Sequence, residues 1–234
     1  ARRPRFAERV GEPGVGLRYV SSPVALGRPQ AIIIPGTKST VADLQWLRAS
    51  GLAGAILVAA ATGTPVVGIC GGYQMLGETI RDPHHVESAA DEVPGLGLLP
   101  VQTTFASDKA THRARAVVSG GQGWLSCQGQ TVEGYEIHMG RTDGAAPWLT
   151  LTERSGRPVS VADGSAGADG RVWGCYLHGI FENVAFRRAW LTSLGWQEKA
   201  GAAQSDCLRH NLDRLADIVE QAVDMKRLEQ IWES

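Results

Sequence analysis

A chain of 234 residues, 43% of them hydrophobic, holds one α/β domain, or one domain with an extension, and buries a sizeable core. Its 23 basic and 24 acidic residues leave a net charge of -1, which argues against a nucleic acid or a membrane surface as the main partner. No apolar run is long enough to span a bilayer, no signal-peptide pattern opens the chain, and four widely spaced cysteines without a CxxC pair point to reduced thiols of the cytoplasm rather than a disulfide or zinc framework.

Residues 1–14 are polar and punctuated by Pro4, Pro13 and Gly14, so they read as a linker or exposed arm. The chain starts at Ala1, without a methionine, as the C-terminal part of a longer protein or a processed chain would. Val15 to Val20 is a strand candidate. Ala31 to Ile34 is a continuous apolar run ending at Pro35-Gly36, as in a buried parallel strand. Thr37 to Thr40 offers cap side chains for a helix from Val41 to Ala49, with Val41, Leu44 and Leu47 on its apolar face and Trp46 a further candidate. Gly51 stops it. A second helix, Leu52 to Ala61, is apolar nearly all round and is expected between the sheet and a neighbour. With Val66–Ile69 as the next strand, strand–helix–helix–strand makes a parallel α/β unit with a right-handed crossover.

Pro65 to Leu76 then brings the chemistry. An apolar strand runs into Cys70, which stands between Gly68 and Gly72 ahead of an expected helix start. Two glycines so placed let the backbone take a strained turn and expose the sulfur. A helix N-terminus beside it lowers a thiol pKa. A small buried cysteine in a glycine-rich βα loop fits the same isolated pattern.

Arg81 to Pro100 reads as loop, with His84 and His85 solvated beside Asp82 and Glu87 in preference to a metal site. Val101–Phe105, Arg113–Val118, Thr131–His138 and Val172–Leu177 alternate as strands, while 119–130 and 154–170 read as Gly/Ser-rich connections. A helix follows from Val184 to Leu194. The tail from Cys207 to Trp232 carries apolar residues at helical spacing, expected to pack on the domain surface. A thiol nucleophile needs a base that is distant in sequence. His178 ends a strand, and His138 lies in the dense run Gly134 to Gly140; spacing alone does not choose between them.

The residues at this point carry a resemblance. Pro35-Gly36-Thr37-Lys38-Ser39-Thr40, Gly68-Ile69-Cys70-Gly71-Gly72-Tyr73-Gln74, Gly134-Tyr135-Glu136-Ile137-His138-Met139-Gly140-Arg141 and Tyr176-Leu177-His178-Gly179 resemble, in order, the glutamine amidotransferase domain of the cobyric acid synthases. That is a branch of the class I, or triad-type, amidotransferases, and the likeness runs from about Glu12 to Leu194. It implies a flavodoxin-like α/β fold with a mostly parallel sheet flanked by helices, added antiparallel strands and a helical C-terminal tail. The implied boundaries are a linker or truncated first strand at 1–14, the amidotransferase domain at 15–200 and a helical extension at 201–234.

The resemblance also implies roles. Cys70 attacks the amide of glutamine and His178 handles the proton. N–H groups of Gly71 and of the Gly36 turn meet the oxyanion, and Gln74 contacts bound glutamine. Class I enzymes carry Glu two residues after the histidine, whereas here Ile180 stands, which leaves Glu136 or Glu182 as a helper to a Cys–His dyad. No metal is implied. The implied partner is an N-terminal P-loop synthetase domain using ATP and Mg on a corrinoid acceptor. This chain has no G-x-x-x-x-G-K-[ST] of its own. An amidotransferase serving a peptidoglycan precursor and a non-catalytic binding relative are the rival readings.

Overall fold

The computed structural model describes residues 12–120, 126–144, 146–198, 207–224, 227, 230 and 232. In chain order the elements are α1 (Pro23–Leu26), β1 (Ile32–Ile34), α2 (Thr40–Ala49), α3 (Leu52–Ala61), β2 (Val66–Ile69), α4 (Gly71–Leu76), β3 (Thr79–Arg81) and β4 (Glu92–Pro94). They continue with β5 (Val101–Val118), β6 (Thr131–Gly144), β7 (Leu149–Arg154), β8 (Arg157–Asp163), β9 (Ser165–Ala166), β10 (Val172–Cys175), a 3-10 turn (Ile180–Glu182), α5 (Val184–Ser193) and α6 (Cys207–Ala222). Residues 20–195 form one compact unit; the described parts of 1–19 and 196–234 form another.

The functional geometry begins with a sheet of order β1-β2-β10-β9, in which β1, β2 and β10 run parallel and β9 antiparallel. Parallel strands covered on both faces need continuous apolar text, and Val66 and Val67 are fully buried. Because β2 pairs with β1 on one side and β10 on the other, their carboxyl ends lie side by side. Those ends lead directly into Pro35-Gly36, Cys70 and Tyr176-Leu177-His178. Open α/β sheets place ligands at this edge.

The added strands build a second, larger sheet, order β4-β3-β5-β7-β8, with β6 also paired to β5. It is antiparallel except where β3 meets β5. The two strands expected within 101–118 are one strand, its pairing with β6 shifted by an irregularity between Thr104 and Lys109. The stretch 154–170, expected to be a connection, instead holds β8 and β9. Ser155 and Gly156 both take positive φ, 49° and 80°, as a two-residue hairpin joining Arg154 to Arg157 requires. Pro158 is tolerated because β8 is an edge strand. Within 81–100, read as loop, β4 pairs with β3. Val15–Val20 is no strand; only Leu17 makes a bridge there.

α2 and α3 form close to their expected bounds, but each buries one side only. Val41 and Leu44 are buried while Trp46 is exposed, and α3 buries Leu52, Ala53 and Ile56 while Val58 stays 66% exposed. In the second unit, α6 leaves Leu215, Ile218 and Val219 exposed. Among the described residues no single helix is long and apolar enough to cross a membrane.

Behind β10, Trp173 meets Trp148 edge-on at 5.0 Å, and Phe186 of α5 stacks on Trp148 at 5.6 Å. All three are essentially sealed from solvent. This cluster packs on β10, the strand that leads to His178. Phe186→Ala should therefore cost about 3–5 kcal/mol in urea unfolding, against about 0.5 kcal/mol or less for Val58→Ala.

Candidate active site

Cys70 follows β2 with φ 52° and ψ -113°, a conformation costly for any residue with a Cβ. Its surroundings impose it. Cys70 N–H donates to Cys175 O at 2.9 Å, extending the β2–β10 ladder by one residue, and Cys70 O accepts from Gln74 N at 3.0 Å to open α4. The chain therefore turns from strand to helix within a single residue. A Cβ on Gly68 would lie 2.6 Å from Gly72 O, and one on Gly72 only 2.0 Å from Ile34 O. Both glycines are thus required by close backbone contacts, and the strained turn expected from the sequence is present.

Gly36, at the end of the neighbouring strand β1, meets both reacting groups. A Cβ there would lie 2.7 Å from His178 Cε1 and 3.4 Å from Cys70 Cβ. A Cβ on Gly71 would lie 3.3 Å from Thr37 N, so the Gly36–Thr37 turn and Gly71 face each other. The structure thus gathers Cys70, His178, Gly36 and Gly71 in one place. His138 is elsewhere occupied: its ring stacks on Tyr176 at 3.8 Å and its Nε2 lies 3.5 Å from Glu136 Oε1.

The electrostatics differ from the expectation of an exposed, acidified thiol. Cys70 is 5% exposed and its Sγ donates to Ile137 O at 3.3 Å. Burial pushes the thiol up to about 11, the Gly71 N–H opposing and the charges of Glu87 and Asp163 adding to the rise. Dehydration of a sulfur anion outweighs a single N–H donor on a six-residue helix. Burial also pulls His178 below the ordinary histidine value, partly offset by the Ile137 carbonyl and reinforced by His138. The resting pair is a neutral thiol and a neutral imidazole, and His178 Nε2 is buried without a hydrogen bond to any described residue.

Gln74 is buried and both N–H donors of its amide are taken. Oε1 accepts from Thr40 Oγ1 at 3.0 Å, while Nε2 donates to Met139 O at 3.0 Å and Tyr176 Oη at 3.2 Å. It ties α4 to α2, β6 and the segment after β10. Neither glutamate offered as helper hydrogen-bonds to His178 among the described residues. Glu136, 1% exposed, takes a bidentate pair from Arg154 at 2.7 and 2.9 Å and faces His138. Burial opposes its charge, but the hydrogen bonds and charges of His138 and Arg154 hold it down to about 2. Glu182 is exposed on the turn after His178.

The sequence reading passed over Asp163. This buried carboxylate accepts from Gly164 N at 2.7 Å and from Tyr176 N at 3.1 Å, two residues ahead of His178. Burial raises it to about 6 against those N–H groups. Its Asp-Gly-Ser setting was legible only as turn chemistry. Among the described residues no three His, Cys, Asp or Glu side chains gather as a metal site.

The family described as CobB/CobQ-like glutamine amidotransferase domain matches residues 10–186. The chain belongs to that family. This amidotransferase domain is 45% identical over 229 residues to the cobyric acid synthase of Moorella thermoacetica, covering 94% of the chain and 44% of that protein. Against the cobyric acid synthase of Pelotomaculum thermopropionicum the identity is 47% over 234 residues, with 93% and 44% covered. The chain thus spans under half the length of these relatives. A solved structure titled as a glutamine amidotransferase superposes with TM-score 0.52 at 17% identity, over 78% of this chain and 88% of that one. PurLQS from Thermotoga maritima gives TM-score 0.50 at 18% identity, over 70% and 80%. These two likenesses show the fold: the α/β architecture of the amidotransferases.

A buried thiol with a pKa of about 11 makes a concrete forecast for the amidotransferase domain. Alkylation of Cys70 by iodoacetamide, in the absence of glutamine, should be slow at pH 7. It should accelerate about tenfold per pH unit towards pH 10. Peptide mapping after timed quenches would read it, and a rate already level by pH 7 would mean a thiolate at rest.

Proposed function

We propose that this domain hydrolyses glutamine through Cys70 and hands the ammonia to a synthetase portion of the same or a partner protein. The observation that carries the reading is the meeting of Cys70, on its strained turn, with His178 beside Gly36, in a chain akin to cobyric acid synthases.

The chemistry begins from neutral groups. Glutamine brings its side-chain carbonyl to the Gly36–Gly71 gap, His178 takes the Cys70 proton, and sulfur bonds to the amide carbon. The N–H of Gly71 and one from the Gly36 turn meet the oxyanion, each such donor being worth about 3–4 kcal/mol. When the C–N bond breaks, the imidazolium proton goes to the departing nitrogen, releasing ammonia and leaving a γ-glutamyl thioester. Water, deprotonated by His178, then attacks the thioester carbon; the C–S bond breaks, glutamate leaves and the thiol recovers its proton. With no carboxylate on His178 among the described residues, the reading is a Cys–His dyad.

The acceptor side rests on the relatives. The synthetase portion would lie N-terminal to this domain, bind ATP and Mg in a P-loop, and amidate peripheral carboxylates of adenosylcobyrinic acid a,c-diamide towards cobyric acid, in the cytoplasm.

The test uses the full-length protein. Cys70→Ala and His178→Ala should each lower glutamine-dependent amidation by about a thousandfold or more. Activity with ammonium supplied directly should stay within about twofold, because only ammonia generation is lost. Gly36→Ala should lose about a hundredfold in kcat with glutamine, since its Cβ displaces the imidazole by close to an ångström. Glutamine use surviving Cys70→Ala would refute the mechanism.

A further inference from the structure

His178 lies beyond the end of β10, which stops at Cys175, so another element must hold it. That element is β6. Tyr135 N–H donates to His178 O at 3.2 Å and His178 N–H donates to Tyr135 O at 2.9 Å, a single antiparallel bridge. Gly134, one residue earlier, makes the approach possible: a Cβ there would sit 2.1 Å from His178 O. Asn183 makes a second tie, its Oδ1 accepting from Glu133 N at 2.9 Å and its Nδ2 donating to Glu133 O at 2.8 Å. The same amide also donates to Ile180 O at 3.1 Å. The turn that carries His178 is therefore bound along β6 at the histidine itself and again at Asn183 after it.

The side chains continue the pattern. The rings of Tyr135 and His178 are stacked, 3° from parallel with centroids 4.8 Å apart. Tyr135 remains 43% exposed, so its ring covers the imidazole without being buried itself. No carboxylate takes up the orienting role among the described residues. Ile180 is buried and apolar, Glu136 is bound to Arg154, and Glu182 is exposed. A free imidazole turns about χ2 over a broad, roughly two-fold torsional profile. A parallel ring contact at this distance restrains it, and such pairs add to cohesion beyond their area. A phenol face also favours the imidazolium that forms when His178 takes the thiol proton.

We propose that Tyr135 is a positioning residue for His178: its stacked ring does the orienting that a carboxylate does in a triad, holding the imidazole in the plane it has beside Gly36 and Cys70. The proposal rests on the glutaminase reading above and deepens it.

The experiment compares the full-length parent with Tyr135→Phe, Tyr135→Leu and Tyr135→Ile. The readouts are kcat and KM for glutamine hydrolysis and the ring-proton resonances of His178 in histidine-labelled protein, assigned with His178→Gln. Tyr135→Phe keeps the stack and should hold both constants within about twofold. The two aliphatic variants should lose about tenfold or more in kcat, as misplaced catalytic groups do, with KM within about threefold. Either one suffices if the other fails to fold. The upfield ring-current shift of His178 should be present in the parent and in Tyr135→Phe and lost in the aliphatic variants. Full kcat in an aliphatic variant, a loss carried by KM, a Phe variant as impaired as Leu, or an unmoved His178 resonance would each overturn the proposal. A parent inactive on glutamine overturns the functional reading instead, and the ring shift then decides whether Tyr135 orients His178.

Discussion

Cys70 occupies a backbone conformation that costs about 1–3 kcal/mol, and the site exists because its neighbours leave the chain no other course. The ladder bond to Cys175 fixes its N–H, the first turn of α4 fixes its carbonyl, and Gly72 lies flush against the Ile34 carbonyl of β1. The first and last of these contacts come from β10 and β1, the two strands that flank β2 in the parallel sheet. The aromatic cluster of Trp148, Trp173 and Phe186 packs α5 and the segment ahead of β7 on β10. Gly36 and His178 meet Cys70 because β1 and β10 flank β2, so the catalytic constellation is a consequence of strand order.

Burial then decides the resting chemistry. A sulfur sealed from water and handed to a backbone carbonyl stays protonated, and a half-buried imidazole with its pKa lowered stays neutral. On the mechanism proposed above, such a pair would react only once a substrate carbonyl is polarised by the two glycine turns. The polar wall behind it is firmly tied. Gln74, Thr40, Tyr176 and Thr142 hydrogen-bond in series, with Thr142 and Tyr176 oxygens 2.6 Å apart. Satisfied buried networks of this kind make a site rigid, which suits a reaction needing sub-ångström placement.

Much of this was legible in the sequence. Glycines at Gly68 and Gly72 around Cys70 announced the turn, because only a crowded backbone demands them. The apolar runs 31–34 and 66–69 announced parallel strands, and the ordered motifs pointed to the partners. The thiol pKa was not legible, since the groups that set it, Ile137, Glu87 and Asp163, are remote in sequence. The hairpin at Ser155-Gly156 was passed over because Gly and Ser were read as linker composition rather than as residues with positive φ. Glu136 shows a different limit. Strand alternation puts it on the face of His138, opposite Tyr135 and Ile137, but only the structure shows that His178 lies against Tyr135. The tie between β6 and His178 needed the pairing of residues forty-odd positions apart, which no local pattern reveals.

The central claim is covalent: Cys70 carries the acyl group of glutamine. Full-length protein turning over glutamine, quenched in acid within milliseconds and digested, should yield a γ-glutamyl mass increase confined to the peptide containing Cys70, lost when glutamine is replaced by glutamate. An adduct on the Cys127 or Cys175 peptide, or ammonia release with no adduct on any cysteine in a mutant whose thioester hydrolysis is slowed, would contradict it.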